Sequence, residues 1–341
     1  MTRPLVIPGA PSIPGLTFRL FDPAADYAPM VDVLNVVAEE DNLGLGSAFT
    51  VTRLVRMDAM ADGFDPSASR FVAEVDGRMI GVATIHRCPM SDGTINLYHT
   101  FDLLRKWRGL GIGRAALKQC QSMLIERAGR QESLDNTFFS SYGVSDTQPQ
   151  TIAVLLRDGY QPFRHMYRMV RPTLDNIPNV APRSGIEIRP LDMRRLRQVW
   201  ESIQSAFRSA WGFVEPHEGA FESWAKDNEP LRPALSRIAW AGDQVAGTVL
   251  IFIHEADNQK RNRKRAFTET ITVGKPWRRR GLARSLLASA LRSIRDAGMT
   301  EAALSVDTQN ASGALSLYES MGYQVERRTT TFRKGFANPT A

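Results

Sequence analysis

The segment from Val273 to Ala283 has the composition of a phosphate-binding turn. β-Branched residues are followed by Pro276, and small residues then open a stretch with helical spacing. The first N–H groups of a helix have no acceptor within the helix, and the helix dipole makes that end positive. Such a turn therefore suits an anionic group such as phosphate. Four arginines add positive charge, namely Arg278, Arg279, Arg280 and Arg284.

A solvated, basic helix start is the alternative interpretation of this turn. The strand pattern before it and the helical pattern after it favour the phosphate site, because a motif needs its structural context. Gly281 and Ala283 are also small enough to let a diphosphate approach the backbone closely.

The chain repeats itself at a nearly constant spacing. Gly15–Arg19 resembles Gly185–Arg189, and Trp107–Arg114 resembles Trp277–Arg284, in both cases 170 positions later. Three further matches keep the same order: Ala73–Gly81 with Ala239–Gly247 at an offset of 166, Asp146-Thr147-Gln148 with Asp307-Thr308-Gln309, and Gly159-Tyr160 with Gly322-Tyr323. Ordered matches of this kind indicate a tandem duplication. Because the stretch between the halves is rich in proline, we expect domains at 1–171 and 185–335 with a linker at 172–184.

Each half is predicted to alternate strands and helices. In the second half the pattern predicts strands at 186–189, 267–273 and 302–306, and helices at 191–207, 281–297 and 312–321. Asp76-Gly77 and Gly242-Asp243 are turn signals between strand-like runs. This order fits an α/β or an α+β class, and the pattern by itself does not separate the two.

Two motifs of the second half resemble those of the GNAT superfamily of N-acetyltransferases. The first is the Arg-x-x-Gly-x-Ala run at 278–283, which the first half keeps as Arg108-x-x-Gly111-x-Gly113. The second runs from Asn310 through Leu317-Tyr318 to Gly322-Tyr323. The resemblance implies an α/β fold with a mixed sheet and helices on both faces, in two tandem acyl-CoA N-acyltransferase (GNAT) domains. The duplicated layout is similar to that of mycothiol synthase-like tandem proteins.

The resemblance also implies direct transfer of an acetyl group from acetyl-CoA to a primary amine. The family separates two strands of its sheet so that pantetheine lies between them. Ile271 falls where a backbone N–H holds the thioester carbonyl, which is a form of oxyanion stabilisation. The other residues that match cofactor-binding positions are Thr272, Val273, Arg278, Arg279, Arg280, Gly281, Leu282, Ala283, Arg284 and Asn310, with Arg108, Gly111 and Gly113 in the first half.

Tyr318 matches the general acid of the family. A phenol with a pKa near 10 can protonate a departing thiolate at modest cost. Spacing alone favours a tyrosine packed in the core, and the family match reverses that preference. Glu269 is a hypothetical base: it lies two residues before Ile271, and we expect both on one strand face. Phe267 stands where several family members carry a glutamate, so the identity of the base stays open.

The two halves differ at these positions. Four residues before the Gly-Tyr pair, the second half has Tyr318 and the first half has Leu155, which cannot donate a proton. Pro149 stands where Asn310 would be, and His99 is the counterpart of Glu269 at an offset of 170. We therefore expect catalysis in the second half. The first half is expected to be a degenerate copy that is structural, binds the cofactor or forms part of the acceptor site.

Composition limits the remaining classes. The 341 residues are 43% hydrophobic and 23% charged, which is typical of globular proteins, and no apolar stretch is long enough for a membrane span. Two cysteines, Cys88 and Cys120, are too few for a disulfide framework, and the five histidines show no metal-ligand spacing. We therefore expect a cytoplasmic protein without a metal. The net charge of +7 suits an anionic partner, but the basic run Lys260–Arg265 lacks interleaved aromatic residues, so nucleic acid is not expected.

The acceptor is expected to be a small-molecule amine rather than a protein, and the chain a monomer, with a dimer as the alternative. Five aromatic residues occur where the family places the helices that cover the acceptor: Phe207, Trp211, Phe213, Phe221 and Trp224. They either line an apolar acceptor pocket or pack in the core. A non-catalytic acyl-CoA binding or sensor protein is the alternative function, since a fold does not guarantee an activity.

Overall fold

The chain forms two compact units. In a computed structural model, the structure describes residues 3–44, 48–61, 63–90, 92–128, 136–226, 230–310 and 313–336. Unit 1 comprises Met1–His165 and Thr329–Ala341, and unit 2 comprises Met166–Arg328.

Unit 1 contains a mixed sheet with helices. Its strands are β1 (Leu16–Leu20), β2 (Arg70–Val75), β3 (Arg78–Pro89), β4 (Ile95–Leu103) and β5 (Thr137–Ser145). Its helices are α1 (Tyr27–Glu40), α2 (Val51–Met60), α3 (Pro66–Ser69), α4 (Ile112–Ala128) and α5 (Pro149–Arg157). All neighbouring strands from β1 to β5 are antiparallel except β4 and β5, which are parallel.

Unit 2 repeats this plan. Its strands are β6 (Gln161–Arg171), which lies in unit 2 from Met166 onwards, followed by β7 (Glu187–Pro190), β8 (Arg237–Ala241), β9 (Gln244–Phe252), β10 (Arg265–Val273) and β11 (Glu301–Asp307). The final strand, β12 (Gln324–Gly335), begins in unit 2 and lies in unit 1 from Thr329 onwards. The helices are α6 (Leu196–Phe207), α7 (Ala220–Lys226), α8 (Glu255–Lys260), α9 (Leu282–Asp296) and α10 (Ala314–Ser320). Again a single pair of neighbours described in this unit, β10 and β11, is parallel.

Most of the last strand of each sequence repeat lies in the unit that the other repeat forms. From Met166 to Arg171, β6 pairs antiparallel with β11 of unit 2. From Thr329 to Gly335, β12 pairs antiparallel with β5 of unit 1. The units therefore do not coincide with the expected limits of 1–171 and 185–335. The physical reason is that repeat matching reports local sequence, whereas a strand belongs to the sheet whose edge it pairs with.

Helices cover both faces of each sheet. In unit 1, Phe71, Ala73 and Val75 of β2 belong to the core that contains α4, whereas the alternate residue Val72 belongs to the core of α1 and α2. This alternation follows from the two-residue period of a strand. In unit 2, α9 and α10 share one core cluster and α6 packs in another. The mixed sheet with helices on both faces confirms the predicted α/β class.

The predicted elements of the second half agree with the observed ones to within a few residues. The strand expected at 267–273 is β10, and the helix expected at 281–297 is α9. This helix begins immediately after Gly281, and Gly281 itself has a left-handed backbone conformation. The helix expected at 312–321 is α10, although Ala311 and Ser312 lie outside the described residues. No helix in the described part of the chain is both long and apolar enough to cross a membrane.

The segment predicted as a linker, 172–184, contains no helix or strand. It nevertheless packs on α9. Arg292 donates a hydrogen bond to the carbonyl oxygen of Pro178 (3.1 Å), and Ser285 donates one to that of Ala181 (3.1 Å). Leu174 is buried in the same core as α9. The proline-rich segment is therefore part of unit 2.

Candidate active site

The parallel strands β10 and β11 pair only at their beginning. Their register runs from Arg265↔Glu301 to Phe267↔Ala303, and no further pair joins them, although both strands continue. Unit 1 has the same arrangement, since the β4–β5 pairs end at Tyr98↔Ser140. Backbone groups that face such a split can hydrogen-bond an extended ligand instead of a neighbouring strand.

A β-bulge interrupts β10 immediately after the split begins. Against β9, Glu269 pairs with Leu250 and Thr272 with Thr248, so three steps along β10 correspond to two along β9. Thr270 has a φ of 52°, which is uncommon for a β-branched residue. The hydroxyl of Thr248 stabilises this conformation: it donates to the carbonyl oxygen of Thr270 and lies 2.8 Å from the hydroxyl oxygen of Thr272.

The bulge changes which residues share a face. Leu250 and Thr248 lie two residues apart on β9, so their partners Glu269 and Thr272 point to the same side of the sheet. Ile271 points to the other side, where it packs against the core that contains α9. The expectation that Glu269 and Ile271 share a face is therefore wrong, because the bulge inserts one extra residue between them. Ile271 also has no partner residue in the β9 register.

Tyr318 lies on α10 in the same core cluster as Ile271. Its side chain is only 7% exposed, and its ring centroid is 6.1 Å from that of Tyr323. Burial raises the pKa of Tyr318 to about 12. The phenol is therefore protonated throughout the physiological pH range and can act as a proton donor.

The turn before α9 presents backbone N–H groups and positively charged side chains. Gly281 (φ +78°) and Arg279 (φ +58°) both have left-handed backbone conformations. The N–H groups that follow them begin α9 and have no acceptor within the helix. Arg278, Arg279, Arg280 and Arg284 are all exposed around this turn, and Leu282 is buried, so only its backbone is available to a ligand. Asn310 is exposed in the turn before α10.

Arg278 also has a structural role. Its Nε donates to the carbonyl oxygen of Val273 (2.9 Å), and Arg108 makes the same bond to Leu103 in unit 1 (2.7 Å). In unit 1 the guanidinium of Arg108 additionally pairs with the buried carboxylate of Asp41 at 2.6 Å. The first arginine of each motif therefore ties the turn to the preceding strand, whereas Arg279, Arg280 and Arg284 are exposed beside the turn of unit 2.

Glu269 is half-buried on the face of the sheet opposite α9. Burial raises its pKa, and the positive charge of Arg168 opposes that rise. Arg168 lies on β6 opposite Ser305, and its guanidinium is 5.5 Å from the ring of Phe267. Sequence reasoning missed Arg168, because β6 belongs to the first repeat by sequence and reaches this site only through strand pairing.

The first unit lacks the bulge. Its β3–β4 register runs without interruption from Gly81↔Leu103 to Pro89↔Ile95. Leu155, buried at 3% exposure, takes the place of Tyr318. Unit 1 nevertheless encloses a cavity of about 820 Å³ that reaches from the turn containing Arg108, Gly111 and Gly113 to His99.

The expectation that His99 and Glu269 occupy equivalent positions in the two halves is wrong. Ile85 of β3 pairs with His99, and its counterpart Ile251 of β9 pairs with Thr268. The bulge adds one residue to β10, so the constant offset fails beyond it and His99 corresponds to Thr268. Burial lowers the pKa of His99 to about 4, which keeps the imidazole neutral.

Other candidate residues have structural partners. Phe221 and Trp224 pack against the core of α6, with their ring centroids 6.4 Å apart. Within the basic run, Arg261 pairs with Asp257 at 2.9 Å, and Arg265 pairs with Glu301 and Glu326. Among the residues that the structure describes, no three His, Cys, Asp or Glu side chains are grouped as a metal ion would require.

Comparison with known families identifies two matching regions. The model of the acetyltransferase (GNAT) family matches residues 43–139 and 196–323. No curated protein matches the chain.

Solved structures share the fold over most of the chain. A GCN5-related N-acetyltransferase from Sphaerobacter thermophilus is 22% identical, with a TM-score of 0.65 over 97% of this chain and 100% of that one. A tandem GNAT protein from the clavulanic acid biosynthesis pathway is 13% identical, with a TM-score of 0.60 over 95% of this chain and 100% of that one. A putative acetyltransferase from Pyrococcus horikoshii is 13% identical, with a TM-score of 0.52 over 95% of this chain and 91% of that one. At these identities the likeness establishes the fold alone.

Proposed function

The chain belongs to the acetyltransferase (GNAT) family, and from this premise we propose that it transfers an acetyl group from acetyl-CoA to the primary amine of a small-molecule acceptor, in unit 2. The observation that carries the proposal is the bulge at Thr270. It frees the backbone of Ile271 from the β9 register in the same unit that has Tyr318 on α10. Unit 1 has neither the bulge nor the tyrosine.

The residues of unit 2 fit acetyl-CoA at three points. The split between β10 and β11 accommodates an extended arm, the arginine-rich turn before α9 suits a diphosphate, and Asn310 lies beside the start of α10. When bound, acetyl-CoA supplies an acetyl group activated as a thioester. The N–H of Ile271 would donate to the thioester oxygen as it gains negative charge.

Proton transfer completes the proposed reaction. The amine nitrogen forms a bond to the acetyl carbon, the bond from that carbon to sulfur breaks, and Tyr318 gives its proton to the departing thiolate. Glu269 would accept the proton that the amine loses, and its raised pKa makes it a better base than an exposed glutamate. Phe267 cannot accept a proton. We therefore propose that the amine faces Glu269, where the positive charge of Arg168 opposes the rise in pKa that burial causes.

The experiment is a thiol-release assay with acetyl-CoA and a broad panel of amines. We expect at least one amine to accelerate release, and Tyr318→Phe to lower the turnover number about 100-fold or more, as expected for loss of a general acid. Tyr323→Phe is the matched control, because Tyr323 is buried in the same cluster but its hydroxyl bonds Thr268. If no amine accelerates release while acetyl-CoA binds, the chain is a non-catalytic acyl-CoA binder instead.

Unit 1 has a narrower proposed role. It keeps the split, the turn and a cavity that joins them. We therefore propose that the backbone at Gly111 and Gly113, in the turn that Arg108 ties to β4, holds the diphosphate of a coenzyme A ligand that unit 1 does not turn over. Gly111, with a φ of +91°, allows the backbone to present its N–H groups there. Equilibrium dialysis of the full chain with labelled coenzyme A tests this role, and two sites per chain are expected.

A further inference from the structure

The part of the unit 1 cavity beside α5 is charged. Asp158, directly after α5, accepts a hydrogen bond from Gln121 at 2.7 Å. Its carboxylate also pairs with Lys118 at 2.5 Å and with Lys334 at 3.0 Å. Lys118, Asp158 and Lys334 all line the cavity. Two ammonium groups thus share one carboxylate at the wall of a space large enough for a ligand.

The fold does not require these charges. The counterparts in unit 2 are Ala288 for Lys118, Leu291 for Gln121 and Met321 for Asp158, by the spacing of the matched turns and Gly-Tyr pairs. All three are completely buried in the apolar core of α9 and α10. Apolar side chains therefore fill these positions in unit 2, and the fold does not by itself require the charged groups of unit 1.

The position of the charges relative to the phosphate turn defines the ligand. Leu155 takes the place of Tyr318, which the proposed function sets beside the thioester sulfur. Asp158 directly follows α5, three residues after Leu155, and both residues line the cavity. A ligand that is held at Gly111 and extends past Leu155 therefore reaches Lys118 and Lys334 with its acyl group.

The balance of charge favours an anion at this end. Five cationic side chains and two carboxylates line the cavity. Arg108 is already paired with Asp41, but Arg114, Lys118, Arg157 and Lys334 still outnumber Asp102 and Asp158. We propose that unit 1 binds a coenzyme A thioester whose acyl group ends in a carboxylate, and that Lys118 and Lys334 hold this carboxylate. The proposal depends on the coenzyme A site proposed above for unit 1.

Two thioethers of coenzyme A, which cannot transfer their alkyl group, provide a matched test. S-(3-carboxypropyl)-CoA and S-butyl-CoA have chains of similar length and differ in the terminal carboxylate. In calorimetric titration of the full chain, we expect two sites, one of which prefers the carboxylate about tenfold or more. Lys118→Gln with Lys334→Gln should abolish the preference. Arg78→Gln, which removes an exposed cation of unit 1 outside the cavity, should leave it unchanged.

Asp158→Asn gives a test that misfolding cannot imitate. It removes the internal carboxylate that competes for both lysines and retains an acceptor for Gln121, so the carboxypropyl ligand should bind about threefold tighter or more. Two sites without any preference would overturn the carboxylate proposal and leave the coenzyme A site of unit 1 standing. A single site per chain that shows no preference for the carboxylate would overturn both the carboxylate proposal and the expected pair of sites. If Arg78→Gln also loses the preference, the preference arises from the overall positive charge of the protein, and the assignment to Lys118 and Lys334 is overturned.

Discussion

The Nε2 atom of His99 lies 2.7 Å from the hydroxyl oxygen of Tyr160. In unit 2, Thr268 lies 2.7 Å from the hydroxyl of Tyr323, which is the counterpart of Tyr160. Gln121 donates to the Tyr160 hydroxyl at 3.2 Å, and this hydroxyl still has its own proton to donate to a neutral imidazole. At the same core position, the tyrosine hydroxyl therefore contacts a neutral histidine in unit 1 and a threonine in unit 2.

We predict that His99 makes the stability of unit 1 pH-dependent. Burial holds its pKa near 4 in the fold, below the ordinary 6.5, so the unfolded chain binds the proton more readily. The free energy of unfolding therefore has its full value above pH 6.5 and falls as the pH decreases towards 4, in total by about 3 kcal/mol.

His99→Thr copies the solution of unit 2 and should remove this pH dependence while keeping an acceptor for Tyr160. Urea unfolding between pH 4.5 and 7.5, followed by fluorescence, measures the effect. A wild-type chain and a His99→Thr variant with the same pH dependence would contradict the prediction.

The bulge at Thr270 should be essential for catalysis. Deleting Thr270 gives β10 the uninterrupted register of β4, which realigns Ile271 with β9. We expect turnover to fall about 100-fold or more while coenzyme A affinity changes much less, because the lost N–H interaction is made chiefly in the transition state. Steady-state kinetics and calorimetry separate the two quantities.

Thr270→Gly is the control for this deletion. Glycine adopts a positive φ without the steric cost that a β-branched residue has there, so this variant should keep the bulge and be equally stable or up to about 1 kcal/mol more stable. Activity close to that of the wild type is expected. A large loss of activity in Thr270→Gly would mean that the threonine side chain, rather than the bulge, is required.

Glu269 and Arg168 should together determine the acidic limb of the pH–rate profile. Glu269 must be ionised to accept a proton, and burial raises its pKa above the ordinary glutamate value. We expect kcat/KM to fall as the pH drops through that raised pKa, and Glu269→Gln to abolish this limb. Arg168→Gln removes the charge that favours the carboxylate, so the limb should move to higher pH. A profile unchanged in Glu269→Gln would exclude Glu269 as the base.

Gly247 should be more sensitive to substitution than Gly113. A Cβ atom at Gly247 would lie 2.6 Å from the carbonyl oxygen of Thr272 and 2.9 Å from Leu286, so Gly247→Ala should destabilise unit 2 by about 2 kcal/mol. A Cβ atom at Gly113 meets nothing within 4 Å, and unit 2 has Ala283 at this place in its helix. Gly113→Ala should therefore be neutral or stabilise by about 0.5 kcal/mol. Thermal unfolding of both variants checks the difference.

The amino-acid sequence was enough to establish the duplication and, through the family resemblance, the class of fold, and it predicted the chemistry of two motifs. These features are local, since Arg278 to Arg284 and the run from Asn310 to Tyr323 carry their meaning in consecutive residues. The difference between Tyr318 and Leu155 is likewise visible without any structure.

Features that depend on pairing between distant strands could be established only from the structure. The extra residue at Thr270 is defined only against β9, and it separates Glu269 from Ile271 and moves the counterpart of His99 to Thr268. The exchange of β6 and β12 brings Arg168 beside Glu269 and Lys334 beside Asp158. The residues of a strand do not indicate which neighbouring strand it will pair with, because backbone hydrogen bonds are alike in both units.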